Sequence, residues 1–114
     1  MAKDDYFVIV YQVLSYLYNC LKNGIEPEKK DLIPEGKLYH INERYWNYIF
    51  VSLYKDGYID GLNIVDVDNS QYARVVRLEG IFITPKGIAY LCDNSTLKKA
   101  KQFLKEIKEL IPFT

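Results

Sequence analysis

The side chains that most often carry catalysis are few in this sequence. It has one histidine, His40, and two cysteines, Cys20 and Cys92, and none of the three lies in a motif that joins a nucleophile to a base. Scattered carboxylates such as Glu26 and Glu28 are not paired for acid–base chemistry. We therefore expect no enzymatic activity and no cofactor.

A metal site is also unsupported. The stretch Asp66-x-Asp68-x-Ser70 matches the start of a calcium loop, but Gln71 stands where the loop needs glycine and Arg77 where it needs glutamate. Two cysteines and one histidine are too few for a four-cysteine zinc site. We expect no bound metal and interpret this stretch as a turn.

Polar and cationic side chains recur on one face of a helix predicted over residues 42–56. Asn42 suits its N-cap, and Gly57 suits the position just past its end. At about 100° per residue, the large apolar side chains gather on one side: Trp46, Ile49, Phe50 and Leu53. The opposite side, which we predict to be exposed, carries Arg44, Asn47, Tyr48, Val51 and Lys55.

Other helices must hold this one in place. The first is predicted over residues 4–23 and is apolar around most of its circumference, which indicates contacts on more than one side. Residues 24–41 are broken by glycines and prolines, so a short helix from Pro27 through about Ile33 fits inside a connecting segment. An amphipathic helix with lysines on its wet side is predicted over about residues 95–111.

The helical spacing of apolar residues ends at residue 57 and does not continue over residues 58–83. Two β-branched and apolar runs are separated by the polar turn Asp68-Asn69-Ser70, which favours a β-hairpin. Thr84-Pro85 then suits an N-cap followed by proline at the first helical position, so a short helix is predicted through about Cys92.

Two motifs in this order resemble those of winged-helix domains. In the first, Lys55-Asp56-Gly57-Tyr58-Ile59, the chain leaves the third helix and enters the wing. In the second, Ile83-Thr84-Pro85-Lys86-Gly87-Ile88-Ala89-Tyr90-Leu91, a hydrophobic-Thr-x-x-Gly element closes the wing and caps the next helix. With the lysine-rich run from Leu97 to Glu109, the chain resembles the YjcQ family of small bacterial and phage winged-helix proteins.

The resemblance implies a fold and a function. The fold is α+β, a winged helix-turn-helix with a helical core, a β-hairpin wing and an extra C-terminal helix, forming a single domain over residues 1–114. In a DNA-binding winged helix, the third helix enters the major groove and the wing touches the backbone or minor groove. Arg44 is then expected on guanine edges, Asn47 on adenine edges and Val51 on a thymine methyl. Arg74 and Arg77 on the hairpin are expected on phosphates of double-stranded DNA.

The charge pattern keeps a second function open. Residues 43–93 hold five basic and seven acidic residues, a local net charge of −2, whereas phosphate binding needs clustered cations. The chain is therefore expected to be either a DNA-binding transcriptional regulator or a winged-helix protein-interaction module that binds no DNA.

The aromatic residues are what favour an interaction surface. The chain has eleven tyrosines, a residue type enriched at protein interfaces. The last helix carries a local net charge of +3 and an apolar stripe, and packing of that stripe on the first helix would cover the excess apolar surface of both helices. The two helices could pack within one chain or across a two-fold axis between two copies. The second arrangement would make the protein a homodimer. The interface residues we predict are Phe7, Tyr11, Tyr18, Phe103, Ile107 and Leu110.

Length and composition bound the remaining possibilities. The chain has 114 residues, 49% of them hydrophobic, which suits one domain. Fifteen basic residues balance fifteen acidic ones, so attachment to nucleic acid by bulk charge is disfavoured. The apolar run at residues 6–18 is shorter than the roughly 20 residues that span a bilayer, so no membrane partner is expected. Without a convincing export signal, we expect a reducing cytoplasm and free thiols.

Overall fold

We describe the protein from a computed structural model, in which residues 1–66 and 73–107 are described. The helices are α1 (Tyr6–Asn23), α2 (Lys29–Leu32), α3 (Glu43–Lys55), α4 (Pro85–Asp93) and α5 (Ser95–Glu106). The strands are β1 (Ile59–Asp60), β2 (Asn63–Asp66), β3 (Ala73–Arg77) and β4 (Phe82–Ile83). The helices lie close to where the sequence predicts them, except that the short helix predicted to open at Pro27 begins at Lys29. The end predicted for the last helix, at residue 111, lies outside the described residues.

Helix α1 lies against several elements at once. It packs on β4, α4 and α5, and residues such as Val8, Val10 and Val13, on different sides of the helix, are fully buried. The prediction that this helix contacts neighbours on more than one side is confirmed. Its packing on α5 takes place within one chain.

The proline-broken connector between α2 and α3 is fastened by one carbonyl. The Leu32 carbonyl accepts hydrogen bonds from the Tyr39 hydroxyl at 2.7 Å and from the Trp46 indole nitrogen at 2.6 Å. All three residues are buried, where an unpaired polar group would be costly. Trp46 also stacks on Phe50, with ring centroids 4.5 Å apart. The end of α2 is therefore tied both to the connector and to the inner face of α3.

The two winged-helix motifs meet in space. The Thr84 hydroxyl donates to the Gly57 carbonyl at 2.5 Å and accepts from the Gly87 amide at 3.0 Å, so it caps α4 and holds the end of α3. The Thr84 amide donates to the Tyr58 carbonyl at 3.1 Å. A Cβ on Gly87 would lie 2.1 Å from that carbonyl oxygen, so the close approach of α4 to Tyr58 requires glycine.

The strands form two nested antiparallel pairs. Strand β1 pairs with β4 at the base, and β2 pairs with β3 farther along the same hairpin. The turn predicted at residues 68–70 lies outside the described residues. Helices followed by a hairpin and two more helices give an α+β fold compatible with a winged helix, and the predicted fold class is confirmed.

Candidate nucleic-acid interface

One stripe of α3 is open to solvent. Arg44, Tyr48 and Lys55 are exposed and lie within about 40° of one another around the helix axis. They span about 16 Å along the axis, since each residue advances a helix by about 1.5 Å. Tyr48, in the middle of the stripe, is 63% exposed.

Two residues predicted on this exposed face are buried, so that part of the prediction is wrong. Asn47 is 3% exposed and Val51 is 8% exposed. The reason is the wing, because β3 packs against this side of α3. The Asn47 side-chain oxygen accepts from the Val75 amide at 2.9 Å, and its nitrogen donates to the Glu43 carbonyl at 3.0 Å. Asn47 therefore fastens the wing to α3 and is not presented to a base.

A β-bulge sets the direction of the wing arginines. Pairing of β3 with β2 is regular as far as Val75, but the next β2 residue, Asn63, lies opposite Arg77. Val76 is thus an extra residue in β3. Side chains alternate along a strand, so without the bulge Arg74 and Arg77 would point to opposite faces. With it, both share the outer face, and both are exposed.

Acidic groups lie at the margins of this surface. Glu43 is in the first turn of α3, and Asp56 is the residue that ends it. The pKa of Glu79, beyond β3, is lowered first by a hydrogen bond to its own backbone and then by the nearby charges of Lys29 and Arg77. The surface therefore carries both cations and carboxylates.

Aromatic rings continue the surface past Tyr48. The Tyr6 ring meets Phe7 edge to face at 5.1 Å and Tyr48 at 6.3 Å. Burial, and after it the neighbouring Tyr90, raises the pKa of Tyr6 to about 12. We call Tyr6, Phe7 and Tyr48 the aromatic patch. The contribution of Tyr6 to this surface was missed from the sequence, because only the tertiary fold brings α1 beside α3.

The residues predicted as an interface are divided between several environments. Phe7 is 37% exposed and belongs to the aromatic patch, whereas Tyr11 is only 6% exposed. The half-buried members are Tyr18, Phe103 and Ile107. Leu110 lies outside the described residues. The prediction that Tyr11 is available at an interface is therefore wrong, because α1 and α5 pack together within the chain.

Within the described part of the chain, no group of three or more histidine, cysteine and acidic side chains is placed to hold a metal ion. Across the same residues, no helix has the length and apolar character needed to cross a membrane. Cys20 and Cys92 are both free thiols, Cys20 buried and Cys92 exposed.

Comparison with known proteins gives one match. A family model described as YjcQ protein matches residues 11–110, which is most of the chain. No curated protein and no solved structure matches.

Proposed function

The chain belongs to the YjcQ protein family, and from the geometry of its third helix and wing we propose that it is a transcriptional regulator that binds double-stranded DNA. The observation that carries the proposal is the shared direction of Arg74 and Arg77 on the outer face of the wing, next to a helix with an open cationic stripe. Arg44 is in the first turn of α3, where recognition helices contact base edges.

Each part of the surface has a distinct role in this proposal. Arg44 reads a guanine edge, and Tyr48 packs against the groove between the two cations of α3. Lys55 at the end of α3 and the two wing arginines bind phosphates and fix the register of the helix on the duplex. Asn47 and Val51 support the surface from beneath and make no contact with bases.

The experiment is a fluorescence-anisotropy titration with a pool of random-sequence duplexes, followed by selection of bound sequences. Three phosphate contacts predict a slope of log affinity against log salt of about −2.7, so affinity should fall about 40-fold when salt rises fourfold. Replacing Arg74 and Arg77 together by alanine should lower that slope by about 2. A matched control replaces two exposed lysines of α5, Lys99 and Lys105, which removes the same charge away from α3.

Two results would overturn the proposal. One is no binding at low salt. The other is an equal loss of affinity in the wing variant and the α5 control, because bulk charge alone would then account for the binding.

A second candidate function rests on the aromatic patch. Phe7 is 37% exposed and Tyr48 is 63% exposed, and both contact the half-buried Tyr6 ring. Exposed rings grouped in this way favour a protein-interaction module, with a second copy of the chain as the first partner to test. Sedimentation of wild type and of the Phe7→Ser, Tyr48→Ser variant distinguishes the two. A dimer that the double substitution dissociates, in a protein that binds no duplex, supports the interaction module.

We also propose a cytoplasmic location, which the two free thiols support.

A further inference from the structure

A groove of about 360 Å³ lies between α1 and the α4–α5 pair. Its α1 wall includes Tyr11, Ser15, Tyr18 and Lys22, and its α5 wall includes Lys98 and Lys101. The proposed DNA surface uses none of these residues. They do include the tyrosines and lysines that stand out in the sequence, namely the rings off the apolar stripes of α1 and the basic excess of α5.

The polar wall follows from helical spacing. Tyr11, Ser15, Tyr18 and Lys22 are spaced four, three and four residues apart, so they lie on one face of α1. Tyr11 is 6% exposed and Ser15 is 7% exposed, and both of these hydroxyl-bearing residues line the groove. Hydroxyls that line a partly buried groove are donors that a bound anion can use.

The charge of the groove has one sign. The three lysines bring three ammonium groups, and no carboxylate is among the lining residues. None of the three is ion-paired with a carboxylate in the part of the chain that the structure describes. The Lys22 nitrogen lies 4.5 Å from the centre of the Tyr18 ring, which holds its charge at the groove. In a chain of zero net charge, this is a local positive site.

We propose that this groove binds a small phosphate monoester. A phosphate monoester carries nearly two negative charges at neutral pH, which suits a groove with three ammonium groups. A ligand with a single carboxylate would bring only one negative charge and leave most of the positive charge uncompensated. The volume lies within the range of roughly 300–1,000 Å³ that holds small ligands, so it accepts a sugar or nucleoside body with the phosphate. Leu91 and Leu97 supply apolar walls for that body.

The test is calorimetric titration of the full chain at constant ionic strength, set with chloride. The probes are inorganic phosphate, a hexose phosphate and a nucleoside monophosphate, each beside its unphosphorylated counterpart where one exists. The phosphorylated probes should bind at concentrations up to about 10 mM, where a millimolar site is mostly filled, and the unphosphorylated ones should not. Binding by neither class overturns the proposal.

Matched variants locate the site. Changing Lys98 and Lys101 to glutamine should weaken binding about fivefold for each lysine, so about 30-fold together. The same change at Lys99 and Lys105, exposed lysines of α5 that do not line the groove, should weaken it less than about twofold. Equal effects from the two pairs would show attraction by total charge and would overturn the proposal.

Cys92 supplies an independent readout, because its exposed thiol lines the groove whereas Cys20 is buried. A bound monoester should slow alkylation of Cys92. If the monoester binds but the alkylation rate does not change, it binds at another place and the assignment of this groove is wrong. A DNA phosphate is the other source of the same chemistry. If the Lys98, Lys101 variant loses duplex affinity and keeps its affinity for monoesters, the groove is a DNA contact and the proposal fails.

Discussion

Replacing Asn47 by alanine should loosen the wing from α3. The Asn47 side chain accepts from the Val75 amide at 2.9 Å, which links α3 to the backbone of β3. Alanine leaves the Val75 amide without this partner in a half-buried position. Since the wing carries the proposed phosphate contacts, the substitution also tests how the interface is assembled.

The magnitude follows from three contributions. An amide left unpaired at a partly buried position costs about 2 kcal/mol. Glu43 is an exposed residue in the first turn of the helix, so loss of the second bond, to its carbonyl, costs little. Alanine is a better helix former than asparagine by about 0.7 kcal/mol, which offsets part of the loss. The free energy of unfolding should therefore fall by about 1.5 kcal/mol, which lowers the Tm of a chain of this length by about 6 °C.

Two assays check this prediction. Urea unfolding measures the loss of stability, and amide hydrogen exchange measures protection of the Val75 amide, which should fall more than protection in α1. The control is Lys55→Ala in the same helix, where an exposed side chain should change stability by less than about 0.5 kcal/mol. Equal stability of the two variants, with Val75 protection unchanged, would refute the role given to Asn47.

Three further substitutions test other joints of the fold. Thr84→Ala removes the hydroxyl that caps α4 and bonds the Gly57 carbonyl, and it should lower the free energy of unfolding by about 2 kcal/mol in urea. Gly87→Ala places a Cβ 2.1 Å from the Tyr58 carbonyl oxygen, so it should cost about 3 kcal/mol or more, measured by thermal melting. Burial raises the pKa of Tyr6 from 10.0 to about 12, so its neutral form stabilises the fold at pH below 10, and that contribution is lost as pH rises from 10 towards 12. Tyr6→Phe should lose less stability over that range, seen in melts at successive pH values.

Each of these has an outcome that contradicts it. Thr84→Ser keeps the hydroxyl and should restore most of the stability, so a serine variant as weak as alanine would place the effect in packing. A Gly87→Ala protein that melts at the wild-type temperature would mean that α4 does not approach Tyr58 closely. Parallel alkaline losses in wild type and Tyr6→Phe would remove Tyr6 as a cause.

The elements of the fold could be predicted because their determinants are local. Asn42, Thr84 and Asn94 each accept a hydrogen bond from an amide two or three residues later, and these contacts set the starts of α3, α4 and α5. Gly57 at the end of α3 has a φ of 84°, the left-handed geometry predicted for its position. Capping residues of these types are recognisable one at a time, so the order of elements followed from the sequence.

The exposed surface could be predicted only in part. Helical spacing correctly placed Arg44, Tyr48 and Lys55 on one open stripe, and it placed Trp46 in the core. It also placed Asn47 on the open side. Periodicity is a property of one helix alone, so it does not show that a hairpin packs against that side. An asparagine inside a helix is a poor helix former, which was the one local sign that its side chain serves another purpose.

The sequence by itself determined the order of the helices, the capping residues of α3 and α4, and that a hairpin separates the third helix from the fourth. Capping and periodicity depend on residues that are close together in the sequence, so they can be predicted from the sequence alone. Only the tertiary structure decided which side of α3 stays open, how the bulge at Val76 turns Arg77 outward, and that lysines of α5 line one groove with tyrosines of α1. Those outcomes depend on contacts between residues far apart in the chain, such as the amide of Val75 and the side chain of Asn47, and on the space left where packed elements do not fill it.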